Sequence, residues 1–85
     1  MNFYPFHIGD YISHTSHLTD AEDLAYRRMI DLYYQSEQPL ESAEKVARKI
    51  RSTPKIVQTL LGEYFEQDEQ GLWHNDRADR EIAIS

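Results

Sequence analysis

Lys45, Arg48, Lys49, Arg51 and Lys55 place five of the nine basic residues within eleven positions, with no acidic residue among them. Such a cluster can neutralise phosphates, and lysine and arginine supply most of the affinity for nucleic acid. Gln58 and Thr59 follow at helical spacing from Lys55, so the three share an outward face. A glutamine amide suits an adenine edge, and lysine meets guanine or phosphate. Arg48, Lys49 and Arg51 would flank them on backbone phosphates, contacts that position a protein without specifying sequence. The helix start at Thr53-Pro54 adds its own attraction for a phosphate. The plainer alternative for the whole group is a solvated helix face.

Other chemistry is thinner. Asp10, His14 and His17 would fall on one face if that stretch were helical, the arrangement a divalent ion needs, but a fourth ligand is missing. No metal or other cofactor is expected. There is no Ser/His/Asp ordering, P-loop or glycine fingerprint, and three glycines leave little capacity to cradle phosphate. With the carboxylates expected mainly on exposed helix faces, the chain is not expected to be an enzyme. Near the C-terminus, Arg77 could reach a minor groove or phosphate, with His74, Asn75 and Arg80 beside it. Asp76 and Asp79 favour salt bridging within the domain instead.

The chain as a whole bounds these options. Eighty-five residues make one small domain, which buries only about 60–65% of its unfolded surface. No cysteine is present, so neither disulfides nor thiolate zinc can supplement the core. The N-terminus lacks the basic-then-apolar pattern of a secretory signal, and no apolar run approaches membrane-spanning length. A cytoplasmic setting, with no membrane partner, is expected. The net charge of −6 counts against generic nucleic-acid binding, yet a bipolar layout can hold a footprint that net charge hides.

The elements that would position the basic cluster are well marked. Thr19 and Glu22 have capping-box spacing, and a helix is predicted over about 19–35. Ala21, Ala25, Met29 and Leu32 form its apolar side, widened by Tyr26, Ile30 and Tyr33, with Tyr34 at the rim. Asp23, Arg27 and Asp31 occupy the opposite side. Arg28 lies at the edge, its stem over apolar surface and its head expected on a carboxylate. Pro39 ends this helix, and Gln38-Pro39-Leu40 reads as extended. Ser42 caps a second helix with the stripe Ala43, Val46, Ala47 and Ile50. Ser52 or Thr53 caps a third, with Pro54 at its first position and Val57, Leu60, Leu61 and Tyr64 on its apolar face.

Upstream, Phe3, Tyr4, Phe6, Ile8, Tyr11 and Ile12 are expected to anchor residues 1–17 on the core, with a turn at Gly9-Asp10. Whether Asp10 to His17 is helical is open at this level. Downstream, Phe65-Glu66-Gln67 and Leu72-Trp73-His74 flank a polar loop ending in Gly71 and read as a β-hairpin. Ala78, Ile82 and Ala83 are spaced as a final helix that stops without a termination signal. The chain is therefore expected to be the N-terminal part of a longer protein, or its tail to pack on a partner.

A mainly α chain with a small β-hairpin, in the order helix, extended segment, helix, helix, hairpin, matches a single winged-helix domain over 1–85. In that architecture the second and third helices form a helix-turn-helix and the hairpin is the wing. His7-Ile8-Gly9-Asp10-Tyr11, His17-Leu18-Thr19 and Ala25-Tyr26-Arg27-Arg28-Met29-Ile30-Asp31-Leu32-Tyr33-Tyr34 resemble the N-terminal domain of the YdaU-like phage and prophage proteins. Pro39-Leu40, residues 45–51 and the segment from Phe65 to Arg77 extend the resemblance over nearly the whole chain. That family is similar to phage replication initiators and replisome organisers. The resemblance implies a winged-helix domain acting at a replication origin, in a protein that continues into a polar, often basic region.

Two functions follow as expectations. One is duplex-DNA binding by the helix-turn-helix. The other is an acidic protein-interaction module that docks a replicative helicase or its loader, forms a homodimer, or mimics nucleic acid to occupy a host target. Exposed Asp20, Asp23 and Asp31 motivate the second.

Overall fold

The computed structural model describes residues 7–84. In chain order it contains helices α1 (Ile8–Thr15), α2 (Asp20–Ser36), α3 (Ala43–Ile50) and α4 (Pro54–Tyr64), strands β1 (Glu66–Gln67) and β2 (Trp73–His74), and helix α5 (Asp76–Ile84). The anchoring expected of Phe3, Tyr4 and Phe6 falls outside the described residues.

Helix α2 starts where its capping box predicts. The Glu22 amide donates to Thr19 Oγ1 at 3.2 Å, and the Thr19 amide donates to Glu22 Oε1 at 2.9 Å. A cap of this kind contributes about 1 kcal/mol. Ala25, Met29 and Tyr33 are buried with Tyr34. Ala21, expected on the same stripe, is exposed because the helix is covered only from its second turn onward. The predicted apolar stripe of α3 is buried, and so is that of α4 except for half-buried Tyr64, with Val57, Leu60 and Leu61 fully excluded from water. Each such side chain contributes about 1.5–3 kcal/mol through burial. These three helices form most of the core, and Phe65, Leu40 and Ala78 complete it.

The hairpin is shorter than its sequence suggests. Only Glu66 with His74 and Gln67 with Trp73 are in antiparallel register. The loop is organised by the Asp68 carboxylate, which accepts from the Gln70 and Leu72 amides and lies 2.7 Å from His74 Nε2. The His74 contact, then the Leu72 amide, hold the Asp68 carboxyl below the usual carboxylate range. Gly71 supplies the left-handed turn residue, at φ 85°. The extended segment before α3 reduces to a one-residue bridge, in which Leu40 and Trp73 exchange both backbone hydrogen bonds at 2.8 and 2.9 Å.

Helix α1 replaces the turn expected at Gly9-Asp10 with the first turn of a regular helix. It is tethered mainly by polar and aromatic contacts. Tyr11 lies 6.3 Å from Tyr26, and Tyr26 lies 4.6 Å from Tyr64, centre to centre. The Tyr11 hydroxyl donates to Asp23, and the Tyr64 hydroxyl to the His14 carbonyl. Helix α5 is bound in a similar way. Tyr33 donates to Asp79 at 2.5 Å and Tyr34 to Glu81 at 2.6 Å.

Most of the carboxylates line exposed faces, as expected, but some of them also bind across the fold. Asp23, Asp79 and Glu81 are aimed at tyrosines that fold back from other segments, and Asp23 is half-buried. Asn75 adds a cap to α5 by accepting from the Ala78 amide at 2.9 Å.

Burial raises the phenols of Tyr33 and Tyr64 to about 12, from an ordinary 10.0. Between pH 10 and 12 the unfolded chain releases protons that the folded chain keeps. Stability is therefore lost as pH rises through this window. Thermal melts should be level from pH 8 to 9.5 and fall steeply by pH 11.5; an unchanged melting temperature would contradict this packing.

Candidate nucleic-acid interface

The turn between α3 and α4 consists of Arg51, Ser52 and Thr53. Its shape is fixed at both ends. The Ser52 amide bonds back to the Ala47 carbonyl at 3.0 Å. Arg28 donates from α2 to the Ile50 carbonyl at 3.0 Å, so its head caps α3 rather than meeting the expected carboxylate. A cation at a helix C-terminus also suits the helix dipole. At the far end the Ile56 amide donates to Thr53 Oγ1 at 3.3 Å, with Pro54 opening α4.

Arg51 itself has φ 62°, in the left-handed region. Glycine is the usual residue there, because a Cβ costs about 1–2 kcal/mol. An arginine holds this position, exposed and with no ion pair among the described residues.

Lys45, Arg48 and Lys49 are exposed on α3, and Lys55, Gln58 and Thr59 on α4. The Thr59 hydroxyl turns back to the Lys55 carbonyl at 3.1 Å. Lys45 and Gln58 share an open groove of about 520 Å³ with Gln67, Gln70 and Trp73 of the hairpin. The basic cluster is not uniformly free. Glu41 Oε2 lies 2.9 Å from Lys45 Nζ, and Glu41 Oε1 lies 3.9 Å from Lys49 Nζ. Among the described residues, Arg48, Arg51 and Lys55 have no such partner. The sequence reading missed Glu41, although its four-residue spacing from Lys45 was a usable signal.

Gly62 continues the exposed face of α4. A Cβ built there would meet nothing within 4 Å, so nothing in the fold requires a glycine. It costs the helix about 1 kcal/mol relative to alanine.

Arg77 stands apart from this face. It lies on α5, where Asp10 holds its guanidinium at 3.0 Å and Glu81 at 3.3 Å. With Tyr11, Tyr26 and Tyr64 these residues line a separate cleft of about 220 Å³. Asp10, His14 and His17 do not converge either. His17 lies outside α1 and pairs with Glu63 at 2.6 Å, while His14 bonds the Asp10 carbonyl. Among the described residues no group of three or more His, Asp or Glu side chains could hold a metal ion, and no helix is long and apolar enough to cross a membrane.

Fold and site together define a mainly helical domain with a small two-stranded sheet and a basic inter-helix turn. The chain belongs to the family described as protein of unknown function (DUF1376), whose model matches residues 2–83. No curated protein and no solved structure matches it.

Proposed function

We propose that this chain is a winged-helix domain of phage or prophage type that binds duplex DNA at a replication origin, with α3 and α4 as the helix-turn-helix and β1–β2 as the wing. The origin and phage elements of this proposal come from the resemblance to YdaU-like proteins. The observation that carries the DNA contact is local. Arg48, Arg51 and Lys55 gather at the turn without ion pairs among the described residues, and Arg51 holds a backbone conformation that glycine would adopt at lower cost. Phosphate is the partner that suits three such cations. Gln58 and Thr59 on the outward face of α4 are the base-reading residues. Gly62 lets a partner approach the same helix closely. Arg77 is left out of the footprint, because Asp10 and Glu81 already hold it.

The competing acidic docking module has less support. Asp20 and Asp31 are exposed on α2, but Asp23, Glu63 and Asp68 are engaged in hydrogen bonds or ion pairs within the fold. The test is a fluorescence-anisotropy titration of a labelled duplex. Three phosphate contacts give a slope of about −2.7 in log K against log salt, so affinity should fall roughly 40-fold between about 50 and 200 mM salt. A flat response would remove the proposal.

A further inference from the structure

We propose that Glu41 is a built-in counter-ion that competes with phosphate for Lys45 and Lys49, restricting the footprint to the inter-helix turn. This inference rests on duplex DNA being the partner. Glu41 lies between two fixed points: Leu40 is bridged to Trp73, and the Ser42 hydroxyl accepts from the Lys45 amide at 3.3 Å. From that position its two carboxylate oxygens face different ammonium groups, at 2.9 Å from Lys45 and 3.9 Å from Lys49. Contact with Lys45, first by hydrogen bond and then by charge, also holds the Glu41 carboxyl below the usual carboxylate range.

All three side chains are well exposed. Ion pairs of this kind are weak and exchangeable. A phosphate reaching Lys45 or Lys49 must therefore displace the Glu41 carboxylate or sit beside it, whereas Arg48, Arg51 and Lys55 impose no such cost. Glu41 thus acts as a specificity-determining residue. It suppresses binding to any polyanion that merely lies along α3, and it favours one that engages the turn.

Glu44 provides the control. It is exposed on the first turn of α3 and lines the same groove, and no ion pair is found for it among the described residues. Glu41→Gln and Glu44→Gln add the same unit of net charge, but only the first releases lysines. Both variants and the unaltered chain would be titrated against a labelled random-sequence duplex, and against heparin, across a salt series.

Glu41→Gln is expected to tighten duplex binding about three- to tenfold at low salt and to steepen the salt slope by up to about 1.8, the value for two added phosphate contacts. Its gain for heparin should be at least as large, and Glu44→Gln should leave the slope unchanged. Equal effects of the two variants, or an unchanged slope for Glu41→Gln in a chain that binds DNA, would overturn the inference alone. Absence of salt-dependent binding in every protein would remove the DNA-binding proposal, and this inference with it.

Discussion

Duplex affinity should fall roughly 10- to 100-fold when Arg48→Ala, Arg51→Gly and Lys55→Ala are combined. Each exposed charge contact contributes at most about 1 kcal/mol, so three removed together approach the upper figure. The salt dependence is the sharper readout, because losing three phosphate contacts should reduce the slope by about 2.7. Glycine rather than alanine is chosen at Arg51 because the residue sits at φ 62°. Arg51→Gly alone should leave the fold as stable as before or up to about 1 kcal/mol more stable, since left-handed strain is relieved while backbone entropy is added. Stability and binding would then move in opposite directions at one residue. An unchanged slope in the triple variant would place the nucleic-acid contact elsewhere or remove it.

Tyr33→Ala should destabilise the domain by about 3–5 kcal/mol, as expected for truncating a buried aromatic. Tyr33 is only 1% exposed, packs 5.9 Å from the Phe65 ring, donates to Asp79 and accepts from the Asn75 amide. It joins α2 to the residue that caps α5. For a domain of this size each kcal/mol lowers the melting temperature by about 4–8 °C, so a fall of roughly 12–40 °C is expected. Tyr33→Phe separates the two contributions: the ring stays, but Asp79 and the Asn75 amide lose their partner, at about 1–3 kcal/mol. The phenylalanine variant should also lose less stability between pH 10 and 12, because a phenol raised to about 12 is gone. Urea or thermal denaturation measures both variants, and a cost below about 1 kcal/mol for Tyr33→Ala would mean that Tyr33 does not hold the core.

Much of this structure was legible in the chain. Thr19 with Glu22, Ser42, and Thr53 with Pro54 mark three helix starts, and all three caps are present. The stripes of α3 and α4 are buried as their spacing requires, apart from half-buried Tyr64. Helix α1 was less legible, because Gly9-Asp10 carries a turn signal and the isoleucines Ile8 and Ile12 face solvent, 62% and 57% exposed. Its apolar spacing therefore does not report where it packs. For the candidate site, Lys45 to Lys55 could be named from composition, but not which of them are neutralised. Glu41 takes two, while Arg77, further along the chain, is taken by Asp10.

By itself, the sequence determined where α2, α3 and α4 begin, most of the faces they bury, and that positive charge gathers around one turn. Caps and stripes act within a few residues, so those interactions are written in consecutive positions. Only the tertiary structure decided which charges remain available. Tyr33 meets Asp79 across 46 residues and Arg77 meets Asp10 across 67. An ion or hydroxyl selects its partner by distance in space, which no local spacing encodes.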